Sequence, residues 1–199
     1  MKKVLIIGAT GTVGSKVRQT LLKETDDRLT LFSRRANELS VSNREETISG
    51  DVTNDSDLDK AVSGQDVVFV ALSGNLSKFA KKIISAMNRN HVDRLIFITS
   101  MGIYNEIPAS IGASGNLQSN PMLQSYRDAA DLIESSDLNY TIIRPGWFNN
   151  GPVDYQVTKK GEPFGGHDVS VSSIADMVKK LIDDDSLYSH DSIGLNTPE

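Results

Sequence analysis

Apolar positions along the chain switch repeatedly between two periods. Val4, Leu5, Ile6 and Ile7 form a short, wholly apolar run, the pattern of a strand covered on both faces. After a group of glycines, Val13, Val17 and Leu21 recur every fourth residue and predict the inner stripe of a helix. Further strands are expected at residues 29–33, 46–52, 66–72, 95–99 and 140–144, with a last short one at 192–196. Three more helical stripes follow the same logic. They are Leu76, Phe79, Ala80, Ile83, Ile84 and Met87; then Met122, Tyr126, Ala129, Ala130 and Ile133; then Ile174, Ala175, Val178, Leu181 and Ile182. Strands alternating with helices predict an α/β fold of three layers, doubly wound around a mostly parallel sheet. Residues 103–121 and 149–169 break the pattern, being long, polar and glycine-containing. Each follows the carboxyl end of a strand, where open α/β sheets bind ligands, so they are expected to wall a substrate pocket unless they are plain surface loops. With no repeat or linker in 199 residues, a single domain over 1–199 is expected.

Charge and composition narrow the function classes. A net charge of −5 argues against a nucleic-acid partner. The absence of cysteine removes disulfides, thiolate metal sites and cysteine nucleophiles, and fits a reducing compartment. The run at 4–7 is too short for a signal-peptide core, and no run reaches the roughly 18 apolar residues of a membrane span. A cytoplasmic location without a membrane partner is therefore expected. His91, His167 and His190 lie far apart without ligand spacing, so no metal site is expected. His91 belongs to the sheet edge opposite the glycines, His167 is either a pocket-loop residue beside Gly165 and Gly166 or, the favoured reading, a solvated loop histidine, and Lys159-Lys160 reads as solvated surface charge.

The glycine group carries the strongest chemical signal. Gly8-Ala9-Thr10-Gly11-Thr12-Val13-Gly14 stands between a buried strand and an amphipathic helix. Glycine permits the tight reversal there and lets a pyrophosphate approach the main chain, while the helix start offers free N–H groups and a positive dipole end. In that context the motif reads as a dinucleotide-binding turn of a Rossmann-like domain. The end of the second strand decides which dinucleotide. An acid there would accept from a ribose 2′-hydroxyl, whereas this chain has Ser33, Arg34 and Arg35. Guanidinium groups pair with a 2′-phosphate that a carboxylate would repel, so NADP(H) is favoured over NAD(H), with Arg34 as the principal contact.

The Gly-x-x-Gly-x-x-Gly spacing resembles that of the extended and atypical short-chain dehydrogenase/reductases. Other segments are similar to the same family. Gly50-Asp51-Val52 resembles its adenine-contacting segment, Ala71-Leu72-Ser73-Gly74 its loop along the cofactor, and Thr99-Ser100 the end of its fifth strand. Tyr140 to Gly146, with Pro145, and Ser173-Ile174-Ala175-Asp176 resemble the NmrA-like and flavin-reductase-like branch. The resemblance implies cofactor contacts at Gly8, Thr10, Gly11, Thr12, Val13, Gly14, Ser33, Arg34, Arg35, Asp51, Val52, Ala71, Leu72, Ser73, Gly74, Thr99 and Pro145.

It also implies a catalytic tyrosine followed four residues later by a lysine. The matching segment is Tyr126-Arg127-Asp128-Ala129-Ala130, where the lysine position is alanine, and Arg127 lies on a different face of the helix. Tyr126 is either a hydrogen-bond donor to a carbonyl or a structural aromatic, and Ser100 either its polar partner or the cap of a strand. Reduction of a flavin, a quinone or a small carbonyl by hydride transfer is expected, and with a flavin or quinone the gap is tolerated because water can supply the acceptor's proton. Trp147 and Phe148 either stack on such a planar small-molecule acceptor, with polar contacts from Asn149, or anchor their loop. The competing reading is a non-catalytic, NmrA-like dinucleotide sensor that acts through a protein partner.

Overall fold

The computed structural model describes residues 1–198. Its first strand, β1 (Lys3–Ile7), shows why the apolar run at 4–7 has no polar face. Leu5 and Ile7 point into one core cluster, Val4 and Ile6 into another on the opposite face of the sheet. Helix α1 (Thr12–Glu24) follows and buries Val13, Val17 and Leu21. The chain continues through β2 (Arg28–Ser33), β3 (Glu45–Ser49), α2 (Asp55–Val62), β4 (Val67–Val70), α3 (Leu76–Asn90) and β5 (Arg94–Ile98). It ends with α4 (Gln124–Glu134), β6 (Asn139–Pro145), β7 (Trp147–Asn149), β8 (Gln156–Lys159), β9 (Asp168–Ser170), α5 (Val171–Asp183) and β10 (Asp191–Asn196).

The main sheet has 8 strands in the order β3-β2-β1-β4-β5-β6-β10-β8. All neighbours are parallel except β8, which runs antiparallel to β10. One face packs under α2, α3 and α4, the other under α1 and α5. The expected three-layer, doubly wound α/β class is thus the observed one. The chain steps from β1 outward to β3 and then returns to β4 on the other side of β1. The connections that follow β1 and β4 therefore turn to opposite faces of the sheet and leave a crevice at the carboxyl edge.

Several expected boundaries change, each for a local reason. The third strand stops at Ser49, not at residue 52, because Gly50 to Thr53 forms a turn. In that turn Asp51 Oδ1 accepts from the Thr53 amide and hydroxyl, both at 2.8 Å. Helix α2 was not anticipated, although Asn54 caps it by accepting from Ser56 and Asp57, and Leu58, Ala61 and Val62 form its buried face. Met122 is 84% exposed, which removes it from the apolar stripe assigned to it. Pro121–Leu123 is a 3-10 turn, and its tighter winding turns residue 122 outward and Leu123 inward. Residues 149–169 are no simple loop either, since β8 and the start of β9 lie within them and β7 pairs with β9.

Candidate functional site

Backbone geometry shapes the turn after β1 before any side chain contributes. Gly8 has φ +95°, and a Cβ there would lie 2.2 Å from the carbonyl oxygen of Ala71. Its absence lets the exits of β1 and β4 touch. A Cβ on Gly14 would lie 2.2 Å from the Gly8 carbonyl oxygen, so this glycine lets α1 start directly against the turn. Asn54, Asn75 and Ser170 cap α2, α3 and α5 through their side chains; α4 continues a 3-10 turn without a side-chain cap, and α1, at the glycine turn, has neither a side-chain cap nor an acid in its first turn. The first amides of α1 are left to a ligand, with the positive end of the helix dipole behind them.

A cleft of about 440 Å³ opens at this edge. It is lined by Gly8, Thr10 and Gly11 from the turn, by Ser33, Arg34 and Arg35 from the exit of β2, and by Asp51 and Val52 beyond β3. Ala71, Leu72 and Ser73 beyond β4 and Phe79 of α3 complete its wall. The Ser33 hydroxyl is buried without a hydrogen-bond partner. Arg34 forms no ion pair among the described residues, and Arg35 approaches Glu38 only at 3.9 Å. An orphaned hydroxyl beside two exposed guanidinium groups is a donor set for an anionic oxygen. Beside them, beyond the neighbouring strand β3, the two hydrogen bonds from Thr53 hold the Asp51 carboxyl below the usual carboxylate range, helped by Arg34 and Lys78, so it stands charged as an acceptor at neutral pH. Cradle, uncapped helix and orphaned hydroxyl together suit a phosphate-bearing dinucleotide.

Other residues singled out in the sequence stand outside the cleft. Val13 is buried in the core under α1, and Gly74 lies one residue past the lining. Thr12 faces a smaller hollow of about 250 Å³ between the starts of α1 and α5. Thr99 is buried, its hydroxyl donating to the Ile143 carbonyl at 3.1 Å, and Pro145 accepts from the Met101 amide at 3.2 Å. Ser100 turns its hydroxyl to the Met101 carbonyl at 3.0 Å, and Tyr126 packs half-buried against the core. No hydrogen bond joins Ser100 to Tyr126 among the described residues. Ala130 is fully buried, so the position four residues after Tyr126 faces the core. Trp147 and Phe148 are 64% and 50% exposed, and Asn149 Oδ1 accepts from the Gly151 amide at 2.9 Å.

Two tyrosine clusters escaped the sequence reading. Tyr155 accepts from the Lys180 ammonium at 2.8 Å and donates to Asp176 at 2.6 Å, which makes a tyrosine–lysine contact far from Tyr126. Burial, reinforced by Asp176, raises the Tyr155 pKa, so this pair does not activate the phenol. The second cluster centres on Arg144, which is fully buried and paired with Glu106 at 2.5 Å. Arg144 also reaches the Ser192 hydroxyl and carbonyl, both at 3.2 Å, while Glu106 accepts from the amides of Gly102 and Tyr104. Tyr104 donates to Glu134 at 2.5 Å, and burial, then Glu134, pushes its pKa well above the ordinary phenol value. Lys160 is exposed, as its reading as solvated charge expects, and also sits 4.5 Å above the Tyr104 ring and binds Glu134 at 2.7 Å. A charged residue ending the buried strand Tyr140–Ile143 was the available signal, since a buried arginine requires a partner.

Comparison with known proteins agrees with this geometry. Residues 8–185 match the family described as NAD(P)H-binding. A Rossmann-fold NAD(P)-binding family protein from Shigella flexneri is 36% identical, with a TM-score of 0.86 over 100% of this chain and 94% of that one. A wide-type short-chain dehydrogenase/reductase from Veillonella parvula, solved in complex with NADP, is 29% identical, with a TM-score of 0.90 over 99% of this chain and 95% of that one. An NAD(P)H azoreductase of Xenophilus azovorans is 28% identical over 177 residues, which span 84% of this chain and 57% of that protein. The uncapped turn of α1, the cleft beside it and the match over residues 8–185 lead to one conclusion: the chain belongs to the NAD(P)H-binding family of Rossmann-like proteins.

Proposed function

We propose that the chain binds NADP(H) in the carboxyl-edge cleft and uses it to reduce a planar small molecule. The observation that carries the proposal is the exit of β2, where the unpartnered Ser33 hydroxyl stands beside Arg34 and Arg35 and no acid occupies positions 33–35. In this reading the three residues take the 2′-phosphate, and the amides from Thr10 to Gly14 take the pyrophosphate. Asp51 and Val52 border the adenine, Ala71 to Gly74 follow the ribose, and Thr99 and Pro145 back the nicotinamide end. Bound NADPH would supply a hydride.

The azoreductase relative, together with the exposed rings of Trp147 and Phe148, supports an azo compound, a flavin or a quinone as acceptor. Such chemistry does not need the missing tyrosine–lysine pair. Asn149 and the segments 103–121 and 149–169 would border the acceptor.

Calorimetric titration tests the cofactor assignment. Arg34→Ala removes charge-assisted hydrogen bonds of about 1.5–3 kcal/mol, so NADP binding weakens roughly tenfold to a hundredfold, while NAD binding changes little. Equal losses for both dinucleotides would exclude the 2′-phosphate role. Oxidation of NADPH in the presence of FMN, a naphthoquinone or an azo dye tests catalysis. Turnover with at least one acceptor is expected. Tight NADP binding without turnover would instead favour the sensor reading.

A further inference from the structure

Beyond the cleft, the carboxyl edge carries one imidazole that neither the cofactor site nor the Arg144 cluster uses. His167 precedes β9, and its carbonyl accepts from the Trp147 amide at 2.9 Å. A Cβ on Gly146 would lie 2.5 Å from that same carbonyl oxygen, so Gly146 lets the His167 main chain lie directly against the exit of β6. The exit of β6 is in turn joined to that of β5, because Pro145 accepts from the Met101 amide. Ser100-Met101, Pro145-Gly146 and His167-Asp168 therefore stand side by side along one edge. Neighbouring strands are about 4.8 Å apart. His167 thus lies next to the end of the sheet where the reactive part of a dinucleotide belongs once its adenosine occupies the exit of β2.

The side chain is held from two directions. Its Nδ1 donates to the Asp168 carboxylate, and its ring lies 6.3 Å from the Trp147 ring at an interplanar angle of 22°. Asp168 is the one ionisable side chain recorded within hydrogen-bonding distance of it among the described residues. With Nδ1 engaged by an anion, Nε2 is the nitrogen left to exchange a proton with a ligand.

Other proton donors are poorly placed. The hydroxyls of Tyr104 and Tyr155 are committed to Glu134 and Asp176. His91 ends α3, and His190 donates its amide to the Tyr140 carbonyl near the start of β6, both at the amino edge.

We infer that His167 is the catalytic acid of the reductase proposed above, with Asp168 and Trp147 as its positioning residues. The inference rests on that reductase reading. Hydride addition to a ring carbon conjugated with a quinone carbonyl forms a C–H bond and moves an electron pair onto that carbonyl's oxygen. That oxygen takes the proton from His167 Nε2, forming O–H as N–H breaks, and solvent reprotonates the imidazole. The new C–H then gives its proton to water while the second carbonyl oxygen takes one from water, so that two electrons from the reduced dinucleotide and two protons in all give the quinol.

Two measurements test the assignment. Trp147 is the chain's only tryptophan, and a protonated imidazole against an indole quenches its emission. The protein without cofactor should lose emission as pH falls through the imidazole titration, and His167→Gln should abolish that step. With NADPH and a naphthoquinone, His167→Gln should lower kcat about a hundredfold with little change in the KM for NADPH, and added imidazole should restore part of the rate. Asp168→Asn weakens the hold on the imidazole ring, so kcat should fall several-fold while the KM for NADPH stays unchanged. A His167→Gln enzyme within twofold of wild type, or a fluorescence step that survives the substitution, would overturn the inference and leave the reductase reading intact. Absence of wild-type turnover with every acceptor would overturn both.

Discussion

Arg144→Ala is expected to cost about 3–5 kcal/mol of folding stability, the range for breaking a buried ion pair by removing one partner. Both side chains are enclosed, with Arg144 at 0% and Glu106 at 5% exposure. Truncation strands the Glu106 carboxylate and also leaves the Ser192 carbonyl and hydroxyl without their guanidinium donor. Pairing Arg144→Met with Glu106→Gln removes the stranded charge while keeping an oxygen to accept from Gly102 and Tyr104. The double variant should recover about half of the loss. Urea unfolding of the three proteins checks this, and a loss below about 1 kcal/mol for Arg144→Ala would mean that the pair behaves like an exposed one. The consequence reaches the site, because Glu106 ties residues 102–106 to β6, the strand that leads into Pro145 and Trp147.

Gly14→Ala should weaken the binding of NADP and NAD alike. The new methyl would meet backbone atoms, the Gly8 carbonyl oxygen at 2.2 Å and its carbon at 2.9 Å, which no rotamer change relieves. Helix α1 must move away from the turn, and overpacking of this kind costs about 1–3 kcal/mol. The same displacement pulls the uncapped amides from the pyrophosphate position, so NADP and NAD affinity should both fall roughly tenfold to a hundredfold. That shared loss distinguishes it from Arg34→Ala, whose effect should be confined to NADP. Unchanged affinity in a folded Gly14→Ala protein would mean that the phosphates lie elsewhere.

Legibility in the sequence followed the range of the interactions involved. Strand β1 and helices α1, α3 and α5 were readable because burial on two faces or on one stripe imposes a period on consecutive residues. Helix α2 was equally local, with an asparagine cap and apolar residues at 58, 61 and 62, and its omission was a missed signal. Met122 failed for another reason. A 3-10 turn before α4 shifts the helical phase, and periodicity alone does not register that shift. Strand β8 exists because it pairs with β10, more than thirty residues later, so its four residues read in isolation as loop.

The same division runs through the candidate site. The sequence by itself determined the glycine turn, the basic exit of β2 and the alanine at position 130, because each is a local requirement of backbone space, charge or residue type. Only the tertiary structure decided that Gly14 abuts Gly8 and that the Ser33 hydroxyl is orphaned. It alone paired Arg144 with Glu106, set the exposed Lys160 over the Tyr104 ring and set His167 between Asp168 and Trp147. These are contacts between segments brought together by sheet order, and no periodicity within one segment encodes the neighbour that another will supply.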